Sequence, residues 1–181
     1  MSYIMRAAVI MAMLAAPAGA QNLEAASVDN LRAVLSGYHE VPGADYWARL
    51  DADAARSSLL HLSSSANELI QIRTRAMEAL AFFPSPRVER SLMDIVSGGE
   101  RAYLRAAALN TYSAIRGHDA LPLLEKSLAD KDEIVRISAI RGLGRVGGDK
   151  AGAILQGAME SEKDPVARDA MARSLKKATA R

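Results

Sequence analysis

Four arginines set the period of this chain. Arg73, Arg105, Arg136 and Arg168 stand 32, 31 and 32 residues apart, and the residues around them recur in step. One position before each arginine come Ile72, Leu104, Val135 and Ala167. Three after it are Ala76, Ala108, Ala139 and Met171; seven after, Leu80, Tyr112, Leu143 and Leu175; ten after, Phe83, Ile115, Val146 and Ala178. These intervals place the side chains on one face of an α-helix. A recurrence of this length constrains the fold more tightly than any other feature of the chain. Each unit cannot bury its apolar face alone, so successive units must stack into a solenoid.

Six residues after each arginine the side chain is small: Ala79, Thr111, Gly142 and Ser174. Small residues at a fixed helical position let a neighbouring helix approach closely, which accounts for Gly142 despite its helix cost of about 1 kcal/mol. Helix-stopping sequences follow at Pro84-Ser85-Pro86, Arg116-Gly117-His118 and Gly147-Gly148-Asp149. A second helix comes next in each unit. Its columns are Val88, Ala120 and Ala151, then Leu92, Leu124 and Leu155, then Val96, Leu128 and Met159. Asp132 and Asp164 precede the following first helices as expected N-caps, with Pro165 at a favoured first position.

The runs DEIVRISAIRGLGRVGG from Asp132 and DPVARDAMARSL from Asp164 resemble the first helices of HEAT repeats. The likeness is to the short bacterial HEAT-like repeats of the phycobilisome-lyase type, and it extends from about Asn67 to Ala178. It implies an all-α fold, an α-α superhelix (HEAT-like solenoid) of right-handed form. The repeats would occupy 66–181, as units 66–99, 100–131 and 132–163 and a half repeat 164–178. On function the resemblance says little, because such repeats serve many unrelated roles.

Residues 21–65 depart from the motif and read as an atypical N-terminal capping helix pair. A helix is expected over Val28–Ser36 and another from about Ala44 to Leu62, separated by the break at Gly37–Gly43. Leu60, 32 residues before Leu92, keeps the phase of the second-helix column. An end unit lacks one neighbour, which is why solenoids carry such caps. Residues 1–20 are of another kind. Arg6, the apolar run Ala7–Ala16, Pro17 and Ala18-Gly19-Ala20 read as a signal peptide cleaved after Ala20, too short to span a bilayer. A periplasmic or secreted protein of a bacterial envelope is therefore expected, with no membrane insertion after cleavage. The chain has no cysteine, so stability must come from helix stacking.

Chemistry-bearing motifs are sparse. Three histidines and no cysteine do not assemble by spacing into a metal set, so no metal and no cofactor are expected. No Gly-x-Ser-x-Gly elbow or phosphate-binding glycine motif occurs, so no catalytic residue is assigned. Removing Arg6 with the leader leaves one basic residue fewer than the 23 Lys and Arg that face 21 Asp and Glu. That near balance argues against nucleic acid as a partner. From Gln21 to Ser65 there are six acidic and three basic residues; from Lys163 to Arg181, six basic and two acidic.

What remains is a surface for a protein partner. The outward phase of the second helices offers Arg90, Asp94, Glu125, Lys126, Gln156 and Glu160, a mixed-charge face suited to reversible contact. Tyr38, His39, Glu40 and Trp47 add an aromatic-rich loop on a rigid support, and the competing reading, favoured for Trp47, has Tyr46 and Trp47 cap the open end of the core. The arginine column reads as structural, its stems along the apolar seam and its heads on loop carbonyls or on Asp132 and Asp164. The expectation is a non-enzymatic HEAT-repeat scaffold or adaptor in the cell envelope. The alternative is an accessory or maturation factor, lyase-like, for an envelope enzyme system. Neither partner identity nor oligomeric state is encoded in these residues.

Overall fold

The computed structural model describes residues 26–37 and 42–180. The leader reading of residues 1–20 and the loop residues Tyr38, His39 and Glu40 lie outside them. The described residues form ten α-helices and no β-strand: α1 (Val28–Ser36), α2 (Ala44–Trp47), α3 (Ala52–Ser64), α4 (Ile70–Ala79), α5 (Pro86–Ser97), α6 (Ala102–Arg116), α7 (Leu121–Ser127), α8 (Glu133–Val146), α9 (Gly148–Ser161) and α10 (Pro165–Ala178). Short 3-10 turns at Leu80–Phe82 and Gly117–Ala120 lead out of α4 and α6.

Two rows of helices result. In the first, α1, α4, α6, α8 and α10 pack side by side; in the second, α3, α5, α7 and α9 each pack against the first-row helix that follows. The columns read from the sequence are the core of this stack. Ile72, Leu104, Val135 and Ala167 are buried, as are Ala76, Ala108, Ala139 and Met171. The small column is buried throughout, and so is the leucine column of the second row, Leu60, Leu92, Leu124 and Leu155.

One contact explains why these two columns need each other. A Cβ added to Gly142 would meet Leu124 Cδ2 at 2.5 Å. The leucine of α7 reaches into the space that the missing side chain of α8 leaves. The equivalent positions in the other units, Leu60 and Ala79, Leu92 and Thr111, and Leu155 and Ser174, are all buried. At the last first-row helix the pattern changes on its outer side. Met77, Leu109 and Ile140, four residues after their arginines, are fully buried, whereas α10 has the exposed Ala172 there.

The N-terminal helices differ from the expected pair. The helix foreseen over Ala44–Leu62 is broken into α2 and α3, because the Asp51 carboxylate accepts from the Ala54 amide at 2.8 Å and starts a new helix. Trp47 is not a surface residue but core, 1 % exposed. Its indole N–H donates to the Pro42 carbonyl at 2.8 Å, and its ring stacks on Phe82 at 5.9 Å and meets Phe83 edge-on at 6.1 Å. An indole with its one donor satisfied and both faces covered ties α2 to the end of α4.

The repeat arginines work at the linkers between units. Arg73 donates to the Ser63 carbonyl at 3.0 Å and to Glu100 at 2.6 Å. Arg105 donates to both oxygens of Asp130, at 2.5 and 2.8 Å, and to Asp132 at 2.6 Å. Arg136 donates to the carbonyls of Asp130 and Lys131 at 2.9 and 3.2 Å. Arg168 is exposed. The linker Asp130–Asp132 is thus held by an arginine from each side. Asp132 sits at the N-cap of α8 without capping it, since its carboxylate is drawn to Arg105 instead. With its side chain 7 % exposed, Arg105 requires carboxylate partners that a more exposed Arg136 can do without. Asp164 does cap its helix, accepting from the Val166 amide at 2.9 Å.

The hydrogen bonds from Arg105 hold the Asp130 carboxyl below the usual carboxylate range. A depressed pKa adds stability that is present above the unfolded value, about 3.9, and is lost as pH falls through the folded one. Asp130→Asn should therefore lower stability at neutral pH and flatten its decline below about pH 4 in urea titrations. Leu124→Ala should cost about 2–5 kcal/mol by urea denaturation, while Lys126→Ala on the same helix should be nearly silent. Gly142→Ala should be better tolerated in the Leu124→Ala background than in the wild type, a coupling that a double-mutant cycle measures directly.

Candidate functional site

The six contact residues read from the second helices all lie exposed on the second row. Arg90 and Asp94 are on α5, Glu125 and Lys126 on α7, and Gln156 and Glu160 on α9. They run along three successive helices and do not converge on one point. Lys126 borders a smaller hollow at the Asp130 linker, and Glu125 borders a groove. That groove, of about 650 Å³, opens between the turn into α7 and the first turns of α9.

Two glycine-dependent turns build it. Gly117, with φ of 52°, ends α6 and swings the chain into the 3-10 turn that carries His118 and Asp119. One unit later Gly147 and Gly148, with φ of 72° and 80°, turn the chain into α9 and set Lys150 at its start. A Cβ on Gly148 would lie 3.1 Å from His118 Nε2, so the glycine leaves the room in which the imidazole sits. Arg116 spans the rim, donating to Asp119 at 3.0 Å and approaching Glu89 at 3.5 Å. Leu121, Pro122, Ala153 and Ile154 supply the apolar walls.

The groove therefore brings a guanidinium, an imidazole, two carboxylates and an ammonium around an apolar lining. Those are groups able to orient a polar ligand and to donate or accept a proton. Sequence reasoning passed over His118 and Lys150 because both lie in or beside turns, where no helical period marks them. The signal that could have found them was their place in the repeat: the Arg116-Gly117-His118 and Gly147-Gly148-Asp149 breaks fall one unit apart and so must adjoin in a stack. No group of three or more His, Cys, Asp or Glu suited to a metal ion occurs among the described residues. No helix among them is long and apolar enough to cross a membrane.

A second groove, of about 640 Å³, lies on the first row between α4 and α6, with Ile70, Thr74, Arg75, Glu78, Arg101 and Tyr103 on its walls. Burial pushes the Glu78 carboxyl up, against the opposing pull of Arg75. The Arg75 guanidinium is engaged with the carbonyls of Leu35 and Gly37 at 2.7 and 2.6 Å, so it closes the C-terminal end of α1.

The family model for HEAT repeats matches residues 89–176. Comparison with curated protein sequences gave no match. Among solved structures, the complex of CpcE and CpcF of phycocyanin lyase from Nostoc sp. PCC7120 contains a similar chain. The TM-score is 0.54 at 18 % identity, over 81 % of this chain and 96 % of that one. This finding overturns the expectation of a non-enzymatic protein. A chain of this architecture belongs to a lyase, so helical repeats without a familiar catalytic motif are no argument against enzymatic work. The chain thus carries HEAT repeats over residues 89–176, set in a longer all-α stack of the same helix pairs.

Proposed function

We propose that this chain is an accessory or maturation factor of lyase-like kind, acting on a protein that docks along α5, α7 and α9. The groove bordered by Arg116, His118, Glu125 and Lys150 is where docking and chemistry meet. The observation that carries the reading is this convergence of proton donors and acceptors beside the exposed second row. The fold likeness lends it support, since the similar chain comes from a lyase and was solved in a complex of two proteins. A row of packed helices suits such a role, because it fixes the orientation of a partner before any group in the groove acts. The mixed charge of Arg90, Asp94, Glu125, Lys126 and Glu160 fits a reversible contact, as a factor that must release its product requires. The envelope as the place of action is part of this proposal and is supported by the leader pattern of residues 1–20.

Affinity capture from envelope extract, with the recovered protein identified by mass and the complex rebuilt from purified components, tests the reading. Arg90→Glu combined with Lys126→Glu should weaken that complex about tenfold or more. His118→Ala and Lys150→Ala should leave the complex intact while abolishing any mass change in the bound protein. Unchanged affinity in the charge-reversed variant would refute the placement on the second row. Full mass change in both groove variants would refute the groove as the site of chemistry.

A further inference from the structure

The outward face of the last two first-row helices carries unbalanced charge. Five and nine residues after the repeat arginine, α8 has Arg141 and Arg145, and α10 has Arg173 and Lys177. The same positions hold Glu78 in α4 and Phe82 in the 3-10 turn that follows it, and Asn110 and Ala114 in α6. The cations are therefore a property of these two units and not of the repeat.

The way neighbouring units meet makes this consequential. Arg145 donates to Asn110 Oδ1 at 2.8 Å and to Ser113 Oγ at 3.3 Å. The ninth-position side chain of one first-row helix thus lies across the fifth-position side chain of the helix before it. One unit on, Lys177 holds the repeat position of Arg145 and Arg141 that of Asn110, so the accepting amide is replaced by a second cation. Burial, and then the charge of Arg141, already make the protonated form of Arg145 less favourable than usual. No acidic residue occurs in 141–145 or 173–177. Asp169, one turn before Arg173, is bonded to it.

The geometry points to this α8–α10 face as a docking site for a short acidic segment of a protein partner. Guanidinium groups offer planar forks that match carboxylates, and an ammonium beside them adds a mobile charge. The occupant is peptide in preference to lipid because Val166 is the only large exposed apolar side chain on α8 or α10, and it lies at the opposite end of its helix. Like charges held together on a surface oppose folding and are retained where a ligand of opposite sign relieves them. The site is on the opposite row from the groove at His118 and stands independently of the lyase-like reading.

Fluorescein-labelled hexaglutamate, titrated into the full chain and followed by anisotropy, tests the proposal. Arg141→Gln with Lys177→Gln should weaken binding about tenfold, and Arg90→Gln on the second row should change it less than about twofold. The Arg141→Gln protein should melt no lower than wild type, because the substitution removes a repulsion. Binding that is unaffected by the double variant, or weakened equally by Arg90→Gln, would overturn the proposal. So would a melting point lowered by Arg141→Gln, since the face would then be structural. Tighter retention on phosphatidylglycerol vesicles, or displacement of the peptide by millimolar inorganic phosphate, would assign the face to lipid or phosphate and reject a peptide.

Discussion

The seating of a second-row leucine in the gap left by a small first-row residue is the contact on which this fold depends. Leu124 and Gly142 show it most plainly, since a Cβ on Gly142 would lie 2.5 Å from Leu124 Cδ2 and the leucine would have to move. A helix pair taken alone would leave such a leucine exposed, at a cost of roughly 1.5–3 kcal/mol for a side chain of that size. Stacking the next unit removes the exposure, and the next unit presents its own leucine in turn. Stability is thereby distributed along the chain as interfaces between neighbours. The chain's lack of cysteine fits a stack that holds together through these interfaces without disulfides.

Polar contacts fix the spacing that the apolar seam requires. Arg73 and Arg105 each reach forward to carboxylates in the linker before the next first-row helix, and Arg136 reaches back to the carbonyls of the same linker that Arg105 holds. A linker gripped from both units cannot slide, so the second-row helices keep a constant offset. That constancy is what juxtaposes two turns from different units and forms the groove at His118. The site is thus a consequence of stacking: neither turn would make it alone.

Much of the architecture was legible because it is periodic. Burial of the apolar and small columns follows from intervals of three and four residues, and the stack follows from their recurrence. The parts that escaped reading are those without a period. Asp51 looks like any aspartate in a helical run until its side chain caps a new helix. Trp47 stood between a recognition loop and a cap on the core, and the ring packs as the cap, but it belongs to no column of the repeat that would have named Phe82 and Phe83 as its partners. Asp132 had the position of an N-cap, but a buried guanidinium from the preceding unit competed for its carboxylate and won. His118 and Lys150 belong to turns that meet only in three dimensions. The expectation that no enzyme is involved rested on missing motifs, and motifs of that kind are local in sequence, whereas a groove between repeats is not.

Native-state hydrogen exchange tests the distributed-interface account most directly. If each unit is held by its neighbours, amides of α6, flanked on both sides, should exchange slowest, and protection should fall toward α1 at one end and α10 at the other. Uniform protection from α1 to α10 would contradict the account, as would an α10 as strongly protected as α6.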